Sequence, residues 1–268
     1  MEGLLARDRF IVLAALVLVV VLAWSYTVSG AGMGMSAVEM SGLPWPQAGG
    51  PAMPMGDAGA MPAGTFDPAR FAVLLSMWWI MMVAMMLPSA APVILLAAAL
   101  NRRSMTMRPP YGRTSIFAAG YLLAWAGFSL IAVIAQGLLE HFRVLSSMLA
   151  VNGDYLTAGL LIAAGAWQFT PIKQACLRHC RSPVHFLTRH RRPGNAGALV
   201  MGLHHGAYCL GCCWFLMMLL FVGGIMNLLW IGGIALFVLL EKWIGHGVAF
   251  GRLTGAALVA CGVAIVVF

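Results

Sequence analysis

The sequence predicts an all-α fold, a polytopic transmembrane helix bundle of about seven spans with a cytoplasmic N-terminus and a periplasmic C-terminus. The first observation is composition, because 62% of the 268 residues are hydrophobic and only 9% are charged, against about 25% charged in a soluble domain. The second is a series of apolar runs long enough to cross a hydrocarbon core of ~30 Å. The third is the gathering of Lys and Arg between alternate runs. Together they indicate a multi-pass protein of the bacterial inner membrane, surrounded by the lipid bilayer.

The distribution of basic residues determines the predicted orientation. The N-terminus and the connections after the second, fourth and sixth spans carry 14 of the 16 Lys and Arg residues. Because cytoplasmic connections are enriched in Lys and Arg, these segments are predicted to face the cytoplasm. The same asymmetry accounts for the net charge of +8, so no nucleic-acid partner is expected.

Residues 1–28 are predicted to form the first unit, an N-terminal transmembrane helix. The apolar run over residues 10–28 follows a short charged start. It is longer than the apolar part of a signal peptide, ~7–15 residues, and no small-x-small cleavage pattern follows closely. We therefore expect an uncleaved first span.

Residues 29–69 are predicted to form the second unit, an external loop rich in Met, Gly and Pro. Two pairs of methionines stand out, Met33 with Met35 and Met53 with Met55. Thioethers are ligands for soft ions, so the loop could collect Cu(I) by adaptable coordination. The alternative is that it is simply a low-complexity segment.

Residues 70–268 are predicted to form the third unit, a six-helix membrane domain that binds metal. The expected spans cover residues 71–100, 115–139, 155–171, 196–221, 226–244 and 248–268. In the first of these, Pro88 and Pro92 remove backbone donors and are expected to kink or break the helix. The same span carries a methionine stripe at i, i+4 spacing, which favours either a thioether path or a packed core. The stripe consists of Met77, Met81 and Met85, with Met82 and Met86 beside it.

The segment MGLHHGAYCLGCCWFLMM, residues 201–218, concentrates soft side chains in an apolar span. His205, Cys209 and Cys213 follow one another at i, i+4 spacing, and Cys212 lies beside them on the same helical face. Thiolates and imidazoles suit Cu(I), and polar groups inside a span are functional by default. The alternative is close helix packing through small residues, which the Gly202-x-x-x-Gly206 pair favours in any case.

A second pair of thiols, Cys176 and Cys180, follows the fourth predicted span at i, i+4 spacing. These thiols are candidates for metal binding or for a structural or acylated role. In the predicted topology the Met loop lies outside, the Met stripe lies deeper in the membrane, and the cysteines of span five lie deeper still. Cys176 and Cys180 would then complete a ladder, that is, a series of soft ligands along which a soft cation could pass. The ladder requires spans two, four and five to be neighbours.

Polar side chains within the predicted spans have other expected roles. Glu241 and Lys242 close the sixth span, where they are expected to form a snorkelling pair at the cytoplasmic boundary. A proton-linked carboxylate is the alternative for Glu241. Gln136, Gln168 and Asn227 are expected to be interhelical hydrogen-bond partners.

Several stretches resemble a bacterial family of predicted metal-binding integral membrane proteins over roughly residues 70–268. The resemblance is carried by MWWIMMVAMMLPSAAP, AWQFTPIKQACLRHCRSP, MGLHHGAYCLGCCWFLMMLLFVGGIMNLLW and LLEK. It implies a metal-binding class without implying a reaction. It also favours His205 over His204, because the family has a histidine directly before glycine.

The leading hypothesis is a protein that binds Cu(I) for transport or for delivery to a cuproenzyme, such as a periplasmic or membrane copper protein. Ag(I) or Zn(II) could use the same ligands or a subset of them. The sequence favours a binding protein over an enzyme, because it has no phosphate loop, nucleophile elbow or paired catalytic carboxylates. The alternatives are a membrane thiol or haem redox protein and a non-catalytic assembly subunit of a membrane complex.

Overall fold

The computed structural model describes residues 2–30, 67–104, 111–146, 149–189, 192–244 and 247–268. The regular structure within these ranges is helical, and the only strand-like pairing there is an isolated bridge between Leu145 and Val151. The predicted all-α class is therefore confirmed. The paired methionines of the predicted external loop lie outside the described residues.

Ten helices make up the described part of the chain. In chain order they are α1 (Glu2–Val28), α2 (Pro68–Ser104), α3 (Tyr111–His141), α4 (Asp154–Trp167), α5 (Pro171–Arg181), α6 (Pro183–Arg189), α7 (Gly194–Met218), α8 (Leu220–Gly223), α9 (Leu228–Trp243) and α10 (Gly247–Val267).

Five stretches of the described chain are helical, long and apolar enough to cross a membrane: α1, α2, α3, α7 with α8, and α10. The predicted number of seven spans is therefore wrong. The predicted fourth and sixth spans correspond to α4, with 14 residues, and α9, with 16 residues. At a rise of ~1.5 Å per residue these helices reach only ~21 Å and ~24 Å, which is short of a ~30 Å core.

Local capping fixes one end of each of these two helices. After α4 the chain turns, and Pro171 opens α5 with Thr170 as its N-cap, the Thr170 hydroxyl accepting from Lys173 N at 3.3 Å. Because a residue before proline is disfavoured in a helix, α4 cannot continue into α5. At the start of α9, Asn227 Oδ1 accepts from Leu229 N at 3.0 Å. The expected interhelical role of Asn227 is thus replaced by an N-cap.

Helix α2 runs through the centre of the bundle and is continuous past Pro88 and Pro92, so the predicted break does not occur. Neighbouring helices hold it in place. Trp78 Nε1 donates to Gln136 Oε1 at 2.8 Å, which confirms the interhelical role expected of Gln136. The Tyr121 hydroxyl, also on α3, donates to the Met86 carbonyl at 3.0 Å. Tertiary packing of this kind keeps a helix continuous even where prolines remove backbone hydrogen-bond donors.

Helix α1 is joined to the bundle by a buried carboxylate near its start. Asp8 is 2% exposed and accepts from the Arg102 guanidinium of α2. The Tyr111 hydroxyl of α3 donates to its other oxygen at 2.6 Å. An ion pair completed by a second donor compensates much of the cost of burying Asp8.

Helices α3 and α7 approach closely because glycines on each helix meet the backbone of the other. A Cβ on Gly202 would lie 2.0 Å from the Phe117 carbonyl oxygen, and one on Gly120 would lie 2.2 Å from the Leu199 carbonyl oxygen. At Gly206 it would lie 2.5 Å from Ala124 Cβ. The predicted G-x-x-x-G packing is confirmed. It presses the face of α7 that carries the cysteines into the bundle.

Replacing Gly120 or Gly202 should separate α3 from α7. We expect Gly120→Ala and Gly202→Ala to destabilise the detergent-solubilised protein by about 1–3 kcal/mol, the usual cost of overpacking. Thermal unfolding followed by loss of the monodisperse size-exclusion peak measures this. Gly127→Ala is the matched control on α3, because nothing lies within 4 Å of its added Cβ. Equal stability of Gly202→Ala and Gly127→Ala would contradict the packing argument.

Candidate metal centre

Helix α7 carries the central cysteines on its buried face. Cys209 is 1% exposed, and Cys212 and Cys213 are fully buried. Both later thiols turn back along the helix, with Cys212 Sγ donating to the Cys209 carbonyl at 3.0 Å and Cys213 Sγ at 2.9 Å. The three cysteines therefore belong to one compact group one turn long. All six cysteines of the chain are free thiols.

Helix α5 contributes a fourth thiol to this group. Cys180 hydrogen-bonds to Cys209 and Cys212, and these contacts together with burial raise the pKa of the Cys180 thiol. Cys176, one turn earlier, lies against α7 at Gly211, where an added Cβ would be 2.6 Å from its sulfur. Burial raises the pKa of the Cys176 thiol as well. Both are half-buried, so α5 extends the cysteine cluster toward the edge of the bundle.

The Cys209 sulfur is the point where the surrounding helices converge. Lys242 Nζ of α9 donates to it at 3.0 Å, and the Tyr121 hydroxyl of α3 lies 3.3 Å from it. Lys242 also donates to Ser89 Oγ of α2 at 3.0 Å. Lys242 is only 8% exposed, so the expectation that it snorkels to the boundary is wrong. The partners on α2 and α7 draw the ammonium inward instead.

A thioether also reaches the cysteine cluster, from Met86 of α2. Its Sδ lies 4.0 Å from Cys213 Sγ. The predicted thioether ligands Met77, Met81 and Met85 are buried at 1%, 1% and 2% exposure in the same helix. The described contacts of the cluster include Met86 and none of these three, whose metal-binding role stays a prediction.

His205 lies one turn before Cys209 and is 2% exposed. Its ring packs among those of Phe117, Tyr121 and Phe186, with centroid distances of 6.1, 5.7 and 5.1 Å. Within the described residues its Nδ1 has no hydrogen-bond partner. In the neutral tautomer that carries its proton on Nε2, this buried nitrogen offers a lone pair, which is what a metal ligand requires. His204 is exposed, in agreement with the preference for His205.

A second buried polar group lies beside the cysteine cluster. Lys173 Nζ of α5 donates to Glu241 Oε1 at 2.5 Å and also to Gln168 Oε1. Lys173 is fully buried and Glu241 is 1% exposed. In the described chain, Glu241 Oε2 and Gln168 Nε2 have no partner. The consecutive residues Glu241 and Lys242 therefore serve two adjacent buried sites from one turn of α9.

Sequence reasoning did not place Met86, Tyr121, Ser89, Lys173 or Lys242 at the site. Lys242 and Lys173 could have been found, because an ionisable group flanked by apolar residues suggests function. On α5, Lys173, Cys176, Leu177 and Cys180 also follow i, i+3, i+4, i+7 spacing, which predicts one buried face. Tyr121 and Ser89 carry no comparable pattern.

The donor set fits a soft ion of low coordination number. Thiols, a thioether and an imidazole are ligands that Cu(I) prefers. Among the described residues, no group of three or more His, Cys, Asp or Glu side chains is arranged to hold a metal ion. A tetrahedral Zn(II) site would need such a group. Two cysteines with Met86 are closer to the linear or trigonal coordination that Cu(I) accepts.

A family model described as PpoB2, copper chaperone, matches residues 75–265. The match includes α7 to α9, most of α2 and every side chain placed at the site above. No curated protein and no solved structure matches the chain.

Removing Lys173 should leave the Glu241 carboxylate buried without its ion pair. We expect Lys173→Met to destabilise the protein by about 3–5 kcal/mol, the cost of an uncompensated buried charge. The double variant K173M/E241Q should recover most of that loss, since it removes the charge along with its partner. Unfolding in detergent provides the measurement. If the double variant were no more stable than the single one, the pairing would not be what stabilises this region.

Proposed function

Because the chain belongs to the PpoB2 copper chaperone family, we propose that it binds Cu(I) within a membrane and delivers it to a copper protein. Five stretches of described helix suitable for spanning support the location. Bulky apolar side chains on their outer faces, such as Leu18 at 59% and Ile131 at 66% exposure, are compatible with lipid contact. The proposed orientation keeps the N-terminus in the cytoplasm and the Met-rich loop outside, in the bacterial inner membrane.

The observation that carries this proposal is the convergence of Cys209, Cys213 and Met86 in the interior of the bundle. The thiols lie where water is excluded, and a thioether lies 4.0 Å from one of them. Hard ions need oxygen ligands or water, which these side chains do not provide. Cu(I) is held by sulfur and tolerates such surroundings. His205 and Cys212 are close enough along α7 to replace a ligand during exchange.

Delivery is favoured by the gradient of exposure across the sulfurs. Cys209, Cys212 and Cys213 are buried, whereas Cys180 and Cys176 are half-buried on the short helix α5. Cys180 already contacts two of the buried thiols. An ion could pass from the cluster to Cys180 by exchanging one thiolate for another, without becoming hydrated between them. Cys176 would then be the outermost sulfur, from which a partner protein takes the metal.

Removing the central thiols tests the binding step. We expect the double variant C209S/C213S to lose more than about 100-fold in Cu(I) affinity, beyond the effect of losing an outer-shell partner. Anaerobic competition with a chromogenic Cu(I) chelator measures this on purified protein in detergent. Cys261→Ser is the matched control, because Cys261 is exposed on α10. Affinity equal to wild type in the double variant would overturn the proposed function.

Removing Cys180 tests the delivery step separately. We expect Cys180→Ser to slow the transfer of bound Cu(I) to an excess of the chelator by about tenfold or more, the effect of a barrier higher by ~1.4 kcal/mol. The amount of Cu(I) bound at equilibrium should change far less, since Cys209 and Cys213 remain. Stopped-flow absorbance gives the transfer rate. An unchanged rate would remove Cys180 from the delivery route while leaving the binding site intact.

A further inference from the structure

We propose that Lys242 determines the charge of the metal ion that the cysteine cluster accepts. Its buried ammonium group favours a monovalent soft ion, Cu(I) or Ag(I), over a divalent one such as Zn(II) or Cd(II). The inference rests on the proposed function, and it assigns selectivity to a side chain that binds no metal itself. Lys242 is thus a positioning and selectivity residue.

The geometry places the ammonium next to any bound ion. Lys242 Nζ lies 3.0 Å from Cys209 Sγ. A metal bonded to that sulfur at ~2.3 Å lies no more than about 5 Å from Nζ. Ser89 Oγ, at 3.0 Å, is the other described acceptor. It is neutral and anchors the ammonium beside the cluster without neutralising its charge.

No nearby carboxylate takes up the charge of Lys242. Glu241 is the adjacent residue, but its Oε1 pairs with Lys173 Nζ at 2.5 Å, and the net charge of that ion pair is zero. Besides Glu241, the described groups that hydrogen-bond to Lys242 or interact with its charge are neutral or thiols: Ser89 of α2, Tyr121 of α3, Cys180 of α5, and His205, Cys209, Cys212 and Cys213 of α7. The negative charge that balances Lys242 in the loaded protein must therefore come from metal-bound thiolates.

Charge balance then separates monovalent from divalent ions. A monovalent ion with two thiolates carries one negative charge, and Lys242 brings the total to zero. A divalent ion with the same two thiolates leaves one uncompensated positive charge in an apolar interior, which is costly. A third thiolate would restore balance, but bringing Cys180 or Cys212 in beside Cys209 and Cys213 requires rearrangement, because no group of three such side chains in the described chain is placed to hold one metal ion. Coulomb repulsion from the ammonium is also twice as large for the divalent ion.

Substitutions at Lys242 should change metal selectivity. We expect Lys242→Met and Lys242→Gln, which are neutral, to raise the affinity for Cd(II) relative to Ag(I) by about tenfold or more. Lys242→Arg keeps the charge and should keep the ratio within about twofold of wild type. Ser89→Ala removes a hydrogen bond without removing charge, so it separates packing from electrostatics and should also leave the ratio nearly unchanged.

The measurement is equilibrium dialysis of the full-length protein in detergent against Ag(I) and Cd(II), with bound metal quantified by mass spectrometry. A ratio unchanged in folded Lys242→Met and Lys242→Gln would overturn the inference while leaving the copper site in place. A wild-type protein that binds Cd(II) at these cysteines as tightly as Ag(I) would overturn it without any variant. If wild-type protein bound no Ag(I) through Cys209 and Cys213, the proposed function would fail as well.

Discussion

The contact between Lys242 and Cys209 is the interaction on which the arrangement of the site depends. An ammonium group removed from water costs several kcal/mol unless donors and acceptors surround it. Lys242 meets this requirement only if α9 lies against both Cys209 of α7 and Ser89 of α2. Its neighbour Glu241 imposes a similar requirement on α5 through Lys173. One turn of α9 therefore fixes three helices relative to each other.

The fold divides into long helices that form a scaffold and short ones that complete the site. Glycine contacts between α3 and α7 bring backbones together and leave little freedom for the α7 cysteines to move. Helix α4 ends before Pro171, which opens α5 after its Thr170 N-cap, and α9 begins only after the Asn227 N-cap. Short helices allow polar side chains to enter the bundle from their ends. If full-length spans stood in place of these short helices, Cys180 and Lys242 would lie elsewhere in the bundle.

The sequence predicted the helical class and the shared helical face of the central cysteines, because both depend on local patterns. Apolar run length reports a helix, and i, i+4 spacing places Cys209 and Cys213 on one face. The two short helices were not predictable from hydropathy, because apolar residues continue beyond the end of α4 and also precede the Asn227 cap that begins α9. The direction of Lys242 was also not predictable, since a four-carbon stem allows the ammonium to reach either solvent or the interior.

The methionines of α2 show that sequence patterns also fail to predict which single residue reaches the cysteine cluster. Met85 and Met86 are adjacent and about 100° apart around α2, as the helix period of ~3.6 residues requires. The i, i+4 stripe through Met77 and Met81 selects Met85, whereas the structure brings Met86 to Cys213. Which face of a methionine-rich helix meets the cysteines is decided by the neighbouring helices. Periodicity within α2 carries no information about them.

Three of the five buried side-chain polar atoms without a hydrogen-bond partner in the described chain lie near the candidate site; the other two are Trp125 Nε1 and Trp230 Nε1. His205 Nδ1, Glu241 Oε2 and Gln168 Nε2 are all buried without a hydrogen-bond partner, and each such atom costs ~1–3 kcal/mol. These three belong to the helices that surround the cysteine cluster and the neighbouring Lys173 pair. Folded proteins retain such costs mainly where function requires a free donor or acceptor. An apolar side chain at His205, Glu241 or Gln168 would avoid this cost, so the polar groups at these positions favour a functional role at this location.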